Sequence, residues 1–185
     1  MEKSNYEKVL DVFFDDSTAK FYIREIARLT KLNPNTVLNI LGVLEKEGLI
    51  KRDKKKHVVE VSSNINEKFK ILKRTANFSK VSESGLVEFL NKEFSSEAVI
   101  LIGSYSRAED IKSSDIDIVV ISKKDYSSVD LKKFEKILNR KIHLIVAYYN
   151  KMSDEFYVNL INGIILSGYI NKINKQIKHI SNVKD

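Results

Sequence analysis

Val9, Leu10, Phe13 and Phe14 fall at helical spacing and predict a first helix over Tyr6 to Phe14, broken by Asp15-Asp16-Ser17. Ile23, Ile26, Ala27 and Leu29 predict the inward face of a second helix from Tyr22 to Thr30. Asn33 suits an N-cap and Pro34 the first helical position, where its missing N–H has no intrahelical partner anyway. A third helix is therefore expected from Pro34 to Glu47, with Val37, Leu38, Leu41 and Leu44 buried and Gly48 as its stop. Two short β segments follow, residues 49–52 and 57–61, around Asp53-Lys54-Lys55-Lys56. Ile65, Phe69, Leu72 and Ala76 give residues 62–80 an amphipathic helical pattern.

The second half reads differently. Residues 81–94 predict a helix with Ser82 as its N-cap, and Ala98 to Ile102 a buried strand. Gly103-Ser104 ends that strand and opens a short helix around Tyr105–Asp110. Ile116 to Ile121 is a second apolar strand, and Leu131–Leu138 an amphipathic helix before a strand over residues 140–147. Phe156, Leu160, Ile161 and Ile164 suggest a further helix, with Gly163 and Gly168 blurring its boundary, and residues 162–170 an apolar segment closing the fold. Lys172, Lys175 and Lys178 read as a solvated helix face. Tyr105, Tyr148 and Tyr149 are expected in core or rim packing before stacking on a base.

Composition narrows the chemistry. Of 185 residues 43% are apolar and 31% charged, a globular balance. There is no Cys, which excludes disulfides, thiolate catalysis and Cys-based metal sites. Three His (57, 143, 179) make a His-rich metal site improbable. No leader pattern opens the chain and no apolar run reaches membrane-span length, so a cytoplasmic protein without membrane contact is expected. The net charge of +7 is uneven: residues 1–80 carry 17 Lys/Arg against 11 Asp/Glu, and residues 81–185 carry 15 against 14. That asymmetry favours a polyanion as partner of the first part.

Helix, helix, short turn, helix and basic hairpin is the order of a helix-turn-helix with a wing. The segments Arg24–Thr30 and Leu44–Ile50 closely resemble prokaryotic winged-helix DNA-binding domains, over roughly residues 5–61. Asn35, Thr36 and Asn39 lie near the start of helix three, off its apolar stripe, where amide side chains can pair with adenine edges. Lys51, Arg52, Lys54, Lys55 and Lys56 would meet phosphates in or beside the wing of a DNA duplex. The alternative is a winged helix used only for dimerisation or protein contact.

Asp115 and Asp117 stand two residues apart at a strand start, and positions i and i+2 of a strand share a side. Paired carboxylates repel unless a cation or proton intervenes, and their hard oxygens suit Mg2+ or Mn2+. Gly103 permits close approach of backbone to a ligand, and N–H groups at the helix start suit a phosphate. Ser104 would cap the helix or hold a phosphate oxygen, and Arg107 would reach a triphosphate or pin the loop to Asp110. A phosphate cradle beside a divalent-metal pair equips phosphoryl or nucleotidyl transfer.

Gly103-Ser104, ten residues, then Asp115-Ile116-Asp117 resembles the signature of the DNA-polymerase-β-like nucleotidyltransferases, over about residues 82–170. The closest likeness is to the minimal nucleotidyltransferase group, some of which act as antitoxins paired with helical toxins. The resemblance implies a small mixed sheet with flanking helices. It also implies Mg2+-dependent transfer of a nucleoside monophosphate from an NTP, ATP above all, to a hydroxyl acceptor. Two departures stand out: Ala108 where most relatives carry Gly, and His143 where relatives place a third carboxylate. A neutral imidazole can act as base or bind Mn2+ but is a poor partner for Mg2+. Full activity and a degenerate site both stay open, as does a plain strand role for His143.

The expected architecture is thus an α/β (α+β) chain: a winged helix-turn-helix domain over residues 1–61, a connecting helix over 62–80, and a nucleotidyltransferase-like domain over 81–185. The expected function is nucleotidyl transfer tethered to duplex DNA in an antitoxin-type autoregulator, with a toxin or another protein as a candidate acceptor and a homodimer as the assembly. The alternative is a transcriptional regulator whose second domain senses nucleotide or dimerises.

Overall fold

The computed structural model describes residues 3–55, 58–122, 128–148 and 152–170, with the side chain of Lys55 excepted. Helix α1 spans Asn5–Asp15. Ser4 starts it through a capping box with Glu7, whose backbone N–H donates to Ser4 Oγ at 3.2 Å. Strand β1 (Lys20–Tyr22) leads directly into α2 (Ile23–Thr30). Lys31 ends α2 at φ 57°, and α3 (Pro34–Lys46) begins behind Asn33, which accepts from the Asn35 N–H at 2.9 Å. Strands β2 (Ile50–Lys55) and β3 (Val58–Ser63) form a hairpin, and β1 joins its outer side in the antiparallel order β1-β3-β2.

Several expectations shift here. The hairpin strands run to Lys55, so Asp53, Lys54 and Lys55 lie in β2, not in a loop. Strand β1 was not predicted: three residues with only Phe21 buried leave almost no periodic signal. Leu29 and Leu38 are exposed, not inward. The other predicted inward positions of α1–α3 close one core with Phe21, Leu49, Ile50, Val61 and Phe69.

Helix α4 (Glu67–Glu83) carries Phe69 into that first core and Val81 into the next. It starts later and ends later than the predicted connector and absorbs Ser82, which therefore caps nothing; α5 (Leu86–Phe94) starts after Gly85. The inward face of α4 is Phe69, Lys73, Asn77 and Val81, whereas Ile65 is exposed and Leu72 and Ala76 only flank the core.

The second sheet has the order β6-β5-β4-β7, built from β4 (Ala98–Ile102), β5 (Ile116–Ile121), β6 (Ile142–Ala147) and β7 (Ile164–Gly168). Strand β5 is antiparallel to β4 and parallel to β6, and β7 is antiparallel to β4, so the sheet is mixed. One face packs Val99, Leu101, Ile116, Ile118 and Val120 against α5, the end of α4 and Phe134 of α7 (Lys132–Leu138). The other packs Ala98, Ile100, Val119, Ile121 and Ala147 against Leu160 of α8 (Asp154–Ile161). Gly163 lies in the turn from α8 to β7, where a Cβ would fall 2.7 Å from the Leu101 carbonyl oxygen; the glycine that blurred this boundary lets β7 reach β4. The fold is α/β: N-terminal helices with a small antiparallel sheet, then a mixed four-stranded sheet with helices on both faces. No helix among the described residues is long and apolar enough to cross a membrane.

Candidate active site

Strand alternation decides which side chains meet. Ile118 and Val120 point to the α5 face of the second sheet, so Asp117 shares the α8 face with Val119 and Ile121. Register places Asp117 opposite Ile102 on β4 and His143 on β6. The row lies at the end of the sheet where β4 stops, and there α8 no longer covers it: His143 is exposed and Asp117 half-buried.

Helix α6 (Gly103–Ser106) is a single turn leaving β4. It replaces the longer helix expected to Asp110; Arg107, Ala108 and Glu109 instead fold back so that the Glu109 N–H donates to the Ser104 carbonyl at 3.0 Å. Gly103 has φ 72°. A Cβ there would overlap the Asp117 carboxylate, lying 3.1 Å from its Cγ. Both the backbone twist and the contact require glycine, and together they press the turn against Asp117. Ser106 Oγ donates to the Gly103 carbonyl at 2.8 Å, which fixes the turn from inside.

His143 Nδ1 and Asp117 Oδ1 are 3.0 Å apart. The imidazole thus occupies the position beside Asp117 across the parallel pair. Asp115 is exposed just ahead of β5, and the adjoining Ile116 N–H donates to the Lys141 carbonyl at 2.9 Å. Ser104 lies in α6, half-buried. Arg107 is exposed and bonds Glu109 Oε2 at 2.8 Å, so it does not pin Asp110. Tyr105 is buried in the core, as expected, and burial pushes its phenol up to about 12.

Among the described residues, no group of three or more His, Asp or Glu gathers into a metal-holding cluster. The carboxylates of Asp115 and Asp117 nevertheless match Mg2+ chemistry, because that ion takes one or two carboxylates and fills its shell with phosphates and water.

Lys73, Asn77 and Arg140 went unread in the sequence, and Asp110 was read only as a partner for Arg107. Asp110 is fully buried, and its carboxylate meets Lys73 Nζ at 3.2 Å, Asn77 Nδ2 at 2.8 Å and Arg140 Nη2 at 3.4 Å. Phe69, Lys73, Asn77 and Val81 repeat every four residues, a spacing that would have exposed the stripe had polar members been admitted to it.

In the N-terminal half, Asn35 and Asn39 are exposed and Thr36 half-buried near the start of α3. Lys51 and Lys54 are exposed on β2. Arg52 is engaged with Glu45, its Nε donating to Oε2 at 2.8 Å. The Lys55 side chain, Lys56, Tyr149 and the basic end at Lys172, Lys175 and Lys178 lie outside the described residues.

A search of curated proteins finds no match. The profile of the nucleotidyltransferase domain matches residues 83–175, half of the chain, and covers the turn at Gly103, both aspartates and the whole second sheet. On that match, with the mixed sheet and the glycine turn seated against Asp117, the chain belongs to the nucleotidyltransferase domain family.

Proposed function

We propose that this protein transfers a nucleoside monophosphate from a nucleoside triphosphate, ATP above all, to a hydroxyl acceptor. The observation that carries the reading is the Gly103 turn packed on Asp117 at the open end of β5. In the transfer, an acceptor oxygen attacks the α-phosphorus, the bond from that phosphorus to the bridging oxygen breaks, and pyrophosphate leaves. Asp115 and Asp117 would hold the divalent ion, Mg2+ or Mn2+, which when bound neutralises triphosphate charge. Backbone N–H groups of the Gly103-Ser104 turn and the Ser104 hydroxyl receive phosphate oxygens. Arg107, exposed beside them, adds positive charge while shared with Glu109. His143, 3.0 Å from Asp117, would accept the acceptor's proton.

The N-terminal half is read as a winged helix-turn-helix over residues 1–61 that binds duplex DNA, followed by the connecting helix. Its support is the element order, the exposed Asn35 and Asn39 on α3 with Thr36 beside them, and the exposed Lys51 and Lys54 on the hairpin. Lys55 and Lys56 belong to the same basic run, and Arg52 contributes only what Glu45 leaves it. A homodimeric, antitoxin-type autoregulator acting on a toxin or another protein unites the two halves.

A second reading is favoured by His143 in the register position opposite Asp117: a regulator whose second domain binds nucleotide without efficient transfer. Incubation with α-labelled ATP, Mg2+ or Mn2+ and neighbouring gene products separates the two. Label transfer with pyrophosphate release, lost in Asp117→Asn, supports the enzyme. Nucleotide binding without transfer in the wild type, and transfer only in His143→Asp, supports the regulator. Absence of both binding and transfer refutes the nucleotide site.

A further inference from the structure

The loop from Ser104 to Asp115 is anchored one residue inside each end. Asn77 Nδ2 donates to the Tyr105 carbonyl at 2.9 Å, next to Ser104. Arg140 Nη1 donates to the Ser114 carbonyl at 3.2 Å, next to Asp115, and also to the Ile111 carbonyl. Between these anchors Asp110 is sunk into α4, where both its oxygens are engaged by Lys73, Asn77 and Arg140. Lys73 also donates to the Asp110 carbonyl. The same donors reach the N-terminal half: Arg140 Nη2 bonds the Asp15 carbonyl at 2.9 Å, and Lys73 Nζ bonds Ser17 Oγ at 3.4 Å.

Lys73 is fully buried, and burial lowers the proton affinity of its ammonium against the pull of Asp110. A buried charge cluster is a poor route to stability, because desolvation opposes the Coulomb gain. Its worth lies in geometry: few arrangements satisfy all its members at once. Here that geometry ties the loop to α4 just after Ser104 and to Arg140 just before Asp115.

We infer that Lys73, Asn77 and Arg140, clamped on Asp110, are positioning residues for the nucleotide loop, so that the N-terminal half completes a site whose reacting groups all lie in the C-terminal half. This rests on the nucleotide reading above. The clamp acts on ligands through Ser104 and Asp115 and touches no substrate itself.

The test uses the full chain carrying Arg140→Gln, Asn77→Ala, or the pair Lys73→Met with Asp110→Leu, which removes both fully buried ions and leaves Arg140 on its backbone carbonyls. Two readouts are taken: amide hydrogen exchange over residues 103–117, and affinity for a non-hydrolysable ATP analogue with Mn2+ by calorimetry. Expected are faster exchange confined to that segment, unchanged protection in α3 and β2, and affinity weakened at least tenfold, with Arg140→Lys recovering part of it. Unchanged exchange in the segment overturns the clamp, whatever the nucleotide result. Wild-type and variant chains binding the analogue equally overturns the clamp alone. A wild type that binds no analogue, with exchange still faster in the variants, instead overturns the nucleotide reading and the clamp's assignment to it.

Discussion

At the scale of single residues, Gly103 and Tyr105 lead to separate expectations. Gly103→Ala should cost about 1–2 kcal/mol of stability from the left-handed backbone, because φ is 72° there. Its larger effect is chemical: the new methyl displaces the Asp117 carboxylate, and an ångström of misplacement typically costs about a hundredfold in rate. Transfer should therefore fall about a hundredfold while a urea melt shifts modestly; a fall in stability without a fall in transfer would contradict this placement. Tyr105 has its phenol pushed from 10.0 up to about 12, chiefly by burial. Above pH 10 the unfolded chain loses this proton while the folded chain keeps it, so stability falls as pH rises. By pH 11 the loss from this group is about 1.4 kcal/mol, and Tyr105→Phe should remove that share of the alkaline decline in urea midpoints.

At the scale of elements, α3 and the hairpin divide the labour of any DNA contact. On the DNA reading proposed above, Asn35 and Asn39 would meet base edges, so Asn39→Ala should change selectivity by about 1–3 kcal/mol at one base pair. Lys51→Ala and Lys54→Ala should weaken binding alike on all sequences and flatten the salt dependence by about one unit of slope each. Anisotropy titrations on duplexes selected from a random pool, repeated across salt concentrations, distinguish these patterns; an Asn39 variant that weakens every duplex equally would sink the base-reading role. Helices here were legible because their apolar positions recur and some of their caps are local: Asn33 and Gly48 sit where helix-end chemistry puts them, whereas the Ser4 cap went unread. The faces were less legible. Leu38 reads as core by type, yet it lies on the exposed side of α3 beside Asn39. Strand β1 was invisible because its partner, β3, lies some forty residues downstream, and pairing at that distance leaves no periodic trace.

For the whole molecule, α4 decides how the halves behave. It enters the first core with Phe69 and the second with Val81, and its middle carries the polar clamp. Lys80 adds a further tie, bonding Asp15 Oδ1 at 2.8 Å. Burial lowers its proton affinity, but Asp15 and Asp11 outweigh that and raise it overall. Heat should therefore unfold the chain in one transition, with calorimetric and van't Hoff enthalpies agreeing; two resolved peaks would show the cores to be independent. The family half was readable from Gly103-Ser104 and Asp115-Ile116-Asp117 because these residues lie close together in sequence, within the stretch that the family match covers. The clamp was not readable, because its members lie at positions 73, 77, 110 and 140 and only the folded chain gathers them.

The family match opens at residue 83, within the last turn of α4. A gene fusion or domain transplant cut at that border would carry Asp110 and Arg140 away and abandon Lys73 and Asn77 upstream. The transplanted carboxylate would keep Arg140 but lose Lys73 and Asn77, and the loop beside it would drift. Portable units of this protein therefore begin before Phe69, a full helix earlier than the recognisable motif.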